Sequence, residues 1–369
     1  MPQHLYAETV LSPGLGGAFL WRYQNHGRGL LDVVDPESPV YRALSQAIDR
    51  FERTVLALTL NKASLIEWAN SQENLQDAAD RRELRLGGAH VFQQSIELFQ
   101  DMQMMTTREE DPDRLSAIHH NIGDVLGFIG QRSGSIHYLE QACLSYEQAL
   151  EIRSRDDTPL EWARTTYNLA LVMQMIGQLE SDNQMLKRAH QTFTQAAALL
   201  PRSTYGEDWS AALCSLGTVL YLLGTQRRGA RTLEQSVVAY RNALSERTQS
   251  NNAIAWAVTQ NNLAAALQGL GEHEEDISSL EASIPVYEAA LKVLNADDVP
   301  LVWAMVSANR ASALYALAAE SDYLDLAEAA VTEFEKLCAL FEGTEYVDYQ
   351  EKVNARRQQA MALVSSLQV

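Results

Sequence analysis

Large apolar residues return to the same place every 47 residues along most of this chain. Trp162, Trp209, Trp256 and Trp303 keep that interval, Trp68 stands two intervals before Trp162, and Leu115 fills the place between them. Six residues after each comes a polar column of Asn74, Asn121, Asn168, Ser215, Asn262 and Asn309. The next position is apolar in five of the six (Leu75, Ile122, Leu169, Leu216 and Leu263), with Arg310 the departure. The one after it is small in all but Gln76: Gly123, Ala170, Gly217, Ala264 and Ala311. Apolar residues spaced three and four apart predict a helix of about four turns here. Gly130, Gly177, Gly224 and Gly271 follow in the middle units. Glycine enters the left-handed region cheaply, so these four predict the C-terminus of the first helix of each pair.

A second helix follows in each unit. Phe99, Tyr146, Phe193, Tyr240, Tyr287 and Phe334 form one column, with Ser95, Ala142, Ala189, Ser236, Ser283 and Ala330 four residues earlier. A small side chain one helical turn before an aromatic one leaves a gap beside a knob, into which a neighbouring helix presses. Such units bury their apolar faces only by stacking, so the period predicts an all-α array of antiparallel helix pairs.

These columns resemble the tetratricopeptide repeat: Leu169-Ala170, Leu216-Gly217 and Leu263-Ala264, a glycine seven residues on, then small, aromatic and small residues on the second helix. Pro201 falls where that repeat usually ends, and Val258 to Ala264 followed by Gly271-Glu272 looks like the kinesin-light-chain type. The ordinary unit has about 34 residues, so the resemblance is to a long-helix variant. It implies a right-handed superhelical solenoid with a concave groove lined by the first helices. On this reading residues 1–35 are an irregular segment rich in Gly and Pro, and 36–62 a degenerate N-terminal capping helix. Six helix pairs fill 63–343, and 344–369 form a C-terminal capping helix.

Composition narrows the function. An apolar share of 46% with 9 Pro in 369 residues supports a folded core. A net charge of -19 repels a phosphate backbone and an anionic membrane surface, so neither nucleic acid nor membrane is expected as a partner. Cys143, Cys214 and Cys338 are too scattered for a disulfide framework, which points to the cytoplasm. The amino terminus has no basic n-region, and no apolar run approaches the roughly 20 residues a spanning helix needs. No cofactor or metal is expected: His120 and Asp124 lie one helical turn apart, but two ligands do not make a site. No HExxH, GxSxG or phosphate-loop motif appears, so an enzyme is not expected.

The asparagine column is the candidate site, because Leu or Ala would stabilise a helix better there. Two readings stand open: an internal ladder between adjacent helices, or a groove-lining ladder that binds a ligand's main chain. The resemblance implies the groove, since asparagines at the matching position touch bound peptides in that family. The candidate contacts are Asn74, Asn121, Asn168, Asn262 and Asn309, with Asp77, Asp124, Arg164, Tyr167, Gln174, Tyr221, Gln268 and Tyr315 expected on the same face. Its early end is acidic and its later end polar and aromatic, which suits a partner with a basic stretch. The cations that clamp a free carboxyl-terminal tail in the chaperone-binding members of that family are missing. The expected function is a non-catalytic scaffold or adaptor that holds a protein or peptide segment. The alternatives are a regulatory sensor for a signalling peptide or small ligand, and a homo-oligomeric module joined through the N-terminal segment or the closing helix.

Overall fold

The structure is a computed structural model, and it describes residues 106–368 apart from 228, 297–299 and 343–346, together with a few positions between 96 and 104. Trp68, Asn74, Asp77 and the segments read as 1–35 and 36–62 lie outside the described residues. Within them the chain forms eleven helices: α1 (Pro112–Ser133), α2 (Ile136–Ile152), α3 (Pro159–Leu179), α4 (Asn183–Ala198), α5 (Arg202–Arg227), α6 (Ala230–Leu244), α7 (Ala253–Glu274), α8 (Ile277–Leu291), α9 (Pro300–Ser321), α10 (Leu324–Phe341) and α11 (Val347–Leu367). They pack as sequential antiparallel pairs. The chain divides into two compact units between Val219 and Leu220, inside α5.

Local sequence starts and stops these helices. Asp111, Asp182, Asn252 and Asp276 each accept a backbone N–H of the following turn at the start of α1, α4, α7 and α8. Each of these bonds satisfies a donor that has no partner within its own helix. Pro112 and Pro159 stand in the first turn of α1 and α3, where a missing N–H costs nothing.

The turns differ from the sequence expectation in one respect. Gly130, Gly177 and Gly271 lie inside their helices, and the left-handed residue comes four positions later, at Gly134, Ser181, Glu275 and again in the last pair at Asp322. The carbonyls of Gly130, Gly177, Gly224 and Gly271 each accept a hydrogen bond from the N–H five residues on, at 3.2 Å for Gly130 and 2.9 Å for the other three. These bonds close the turn. The missing side chain serves close approach instead. A Cβ on Gly130 would stand 2.6 Å from Leu139, and one on Gly177 would stand 2.8 Å from Leu186.

The second-helix column supplies the core. Tyr146, Phe193, Tyr240, Tyr287 and Phe334 are all buried, beside the small residues four positions earlier. Each buried aromatic contributes about 2 to 3 kcal/mol of transfer free energy. In the unit that begins at Leu220, Phe334 joins Leu337, Phe341, Val353 and Ala360, so α11 packs on α10 through its apolar side. Arg310, the departure from the apolar column, is also explained there. Its guanidinium binds Glu288, 2.9 Å away on α8, and Glu333 on α10, tying three helices together. Burial pushes the Glu333 carboxyl above its ordinary range, against the pull of Arg310, because a low-dielectric surrounding disfavours the charged form.

Candidate functional site

The first helices of the pairs carry the polar column, and it lies inside. Asn121, Asn168, Asn262 and Asn309 are each no more than 9% exposed. In the unit ending at Val219, the amide of Asn168 on α3 donates to Asp124 Oδ1 on α1 at 2.8 Å. The Tyr146 hydroxyl donates to the same oxygen at 2.6 Å, and His120 Nε2 lies 3.4 Å from Asp124 Oδ2. His120 Nδ1 contacts Thr165 Oγ1 at 3.1 Å, which extends the network back to α3. Asn121 instead donates to the Ala117 carbonyl of its own helix, and its Oδ1 has no partner.

The unit from Leu220 repeats the theme with a different pairing. Asn309 on α9 donates to Asn261 Oδ1 on α7 at 2.9 Å, and Asn261 donates to Asn262 Oδ1 at 3.0 Å. Gln268 donates to Glu272 at 2.8 Å and accepts from the Tyr287 hydroxyl at 3.0 Å. Burial holds the Tyr287 phenol well above its ordinary pKa, so it remains a donor.

The remaining candidates divide by exposure. Tyr167 is buried, shares a 2.9 Å hydrogen bond with Ser215 and meets the Phe193 ring edge-on. Tyr221 and Gln174 are buried as well, and neither amide atom of Gln174 has a partner. Arg164 is part-exposed and reaches the buried Asp208 at 3.1 Å. Tyr315 is part-buried against the α9 to α11 core. Asn168, Asn262 and Asn309 thus take part in hydrogen bonds between or along the first helices. Among the described candidates only Arg164 and Tyr315 keep appreciable exposed surface.

The structure adds a pair the columns did not single out. Arg153, at the end of α2, donates to Ser116, to the Glu161 carbonyl and to Thr165 Oγ1. Burial lowers its pKa to about 10, which still leaves it charged at neutral pH. Two periods later Arg247 donates to Thr259 Oγ1 at 3.2 Å. The units between and after carry Leu200 with Ala212 and Leu294 with Val306, all buried. This two-period alternation of Arg-Thr with Leu-Ala or Leu-Val was visible in the sequence, in a register the tryptophan count passes over.

Among the described residues no group of three His, Cys, Asp or Glu side chains is placed to hold a metal ion. No described helix is long and apolar enough to cross a membrane.

Part of this frame matches a known family. The tetratricopeptide repeat family model matches residues 256–298, the stretch that holds α8 and most of α7. The chain is a helical repeat protein, and that stretch is a tetratricopeptide repeat of the kinesin-light-chain type. Among solved structures it is similar to the crystal structure of BtubC (BKLC) from P. vanneervenii, at 16% identity and a TM-score of 0.41. That match covers 76% of this chain and 94% of the other. No curated protein matches the chain.

Proposed function

We propose that this chain is a non-catalytic scaffold that holds a segment of a partner protein against the first helices of its pairs. The tetratricopeptide repeat at residues 256–298 carries the reading, since repeats of this kind generally serve as protein-interaction modules. The buried ladder fits it as the frame. Asn168 with Asp124, and Asn309 with Asn261, hold adjacent first helices in register, and a rigid surface binds at lower entropic cost than a mobile one. Ligand contact then falls to part-exposed residues on the same helices, Arg164 and Tyr315 among them. The net charge of -19 favours a partner with a basic stretch, drawn in by long-range attraction.

Affinity capture from native lysate tests the proposal. The wild-type chain is expected to retain a stoichiometric protein partner, and capture is expected to fall as salt rises. Arg164→Gln and Tyr315→Ser are expected to weaken capture, each while circular dichroism shows the variant still folded, although the first loosens the pair with Asp208 and the second trims the α9 to α11 core. Undiminished capture by both variants would remove the first-helix face from the account.

A further inference from the structure

The unit ending at Val219 has a second surface, away from the polar ladder. A cleft of about 330 Å³ opens between α2 and α4, with the end of α3 as its floor. The buried Met173 and Ile176 form that floor, and Met185 and Leu144 line its sides. Leu144 is 52% exposed, beside the apolar Met173, Ile176 and Met185 of the same cleft. Cys143 also lines the cleft. Burial and the adjacent Glu147 push its thiol up to about 12, so it stays neutral and adds a small apolar surface.

The repeat frame does not require this composition. One, two and three periods on, the places of Leu144, Met173 and Met185 hold Gln191, Leu220 and Thr232, then Val238, Leu267 and Ser279, then Pro285, Leu314 and Leu326. Of these four units, only the one with the cleft combines two methionines with an exposed leucine. Methionine adapts its shape to a bound apolar surface better than branched side chains do.

Charges frame the cleft asymmetrically. Glu140 and Glu147 stand on the α2 wall, and Arg188 stands on the α4 wall. The two glutamates are seven residues apart, close to two full turns of helix, so they share one face. All three charges act on the Cys143 thiol, so they surround one point. None of them forms an ion pair among the described residues, so the charges on both walls remain available.

We infer that this cleft receives an amphipathic helix of a partner protein, its apolar stripe on Met173, Ile176 and Leu144, two basic residues a heptad apart facing Glu140 and Glu147, and an acidic residue facing Arg188. A helix suits the site because residues i and i+7 repeat at the spacing of the two glutamates. The charge pattern fixes its direction and register, which a uniformly charged surface would not do. Its walls lie on second helices and only its floor on the end of α3, away from Arg164 near the start of that helix, so it is separate from the first-helix contacts proposed above.

The test uses the full chain and a synthetic helical peptide of about four turns with a leucine stripe, two lysines a heptad apart on one flank and a glutamate on the other. A control peptide exchanges the lysines with glutamates and the glutamate with lysine. Fluorescence anisotropy is expected to show the first peptide binding about 10-fold more tightly than the control. The double variant Glu140→Lys, Glu147→Lys should narrow or reverse that ratio, and Leu144→Asp should abolish binding of both peptides. Both variants change exposed side chains, and circular dichroism checks that each is folded. Equal binding of the two peptides would overturn the inference, as would binding that survives Leu144→Asp. Light scattering supplies the third outcome: a wild-type dimer that becomes monomeric in Leu144→Asp would make a second copy the occupant and also overturn it.

Discussion

The amide of Asn168 and the carboxylate of Asp124 meet at 2.8 Å across α3 and α1, and the Tyr146 hydroxyl closes on the same oxygen at 2.6 Å. Removing the acceptor takes a hydrogen bond from two buried donors at once. Asp124→Ala is therefore expected to destabilise the chain by about 3 kcal/mol, since each hydrogen bond to a charged acceptor is worth about 1.5 kcal/mol or more. Asn121→Leu, at the place one period before Asn168, removes an amide whose oxygen already lacks a partner and should be neutral or stabilising. Urea denaturation of the two variants checks the contrast.

Gln174 and Phe193 make a second comparison within the repeat. Their counterparts two periods later are Gln268 and Tyr287, where the phenol donates to the amide oxygen at 3.0 Å. Phe193 lacks that hydroxyl, and Gln174 has no partner on either amide atom. Phe193→Tyr is expected to supply the donor and raise stability by about 1 kcal/mol, read as a higher denaturation midpoint.

The glycines should respond according to the job each one does. Gly177→Ala drives a Cβ to 2.8 Å from the Leu186 side chain and 3.0 Å from its backbone nitrogen. An overpacking cost of about 1 to 3 kcal/mol is expected there. Gly134→Ala meets no atom within 4 Å but must hold φ at 65°. Only the left-handed penalty of about 1 kcal/mol then applies. Thermal melts of the two variants check the order.

The Arg153 and Thr165 pair should be strongly coupled. Arg153→Leu alone takes a hydrogen bond from Ser116 and from Thr165, whereas Arg153→Leu with Thr165→Ala reproduces the pattern of Leu200 and Ala212. The double variant is expected to lie closer to wild type than the sum of the single changes by about 1 kcal/mol or more. A double-mutant cycle in urea checks it.

Burial lowers the pKa of His119 and His190 below the ordinary 6.5. The unfolded chain then binds more protons than the native one as pH falls through that value, so stability falls on acidification. Replacing His190 with Gln should flatten the slope of the denaturation midpoint against pH below 6.5.

Much of this was legible in the sequence because one frame repeats. The aromatic column from Tyr146 to Phe334 predicted the buried side of each second helix, and its small residues mark where neighbours approach. The role of Gly177 was less legible, because close approach and a left-handed turn both select glycine, and only the backbone separates them. The face of the first helices was less legible still. Helix α7 carries Ala257, Thr259, Asn261, Asn262, Leu263, Ala264, Ala265 and Ala266, and all of these are buried. A helix covered on nearly every side has no polar stripe, so a fixed offset from Trp256 cannot tell an interior ladder from an exposed groove.

Hydrogen exchange of the chain alone and with its captured partner tests the central claim most directly. Added protection in peptides from residues 159–168 or 300–321, with the buried ladder already protected in the free protein, is the result this account predicts. A captured partner that protects neither segment would contradict it, as would failure of any protein to remain bound.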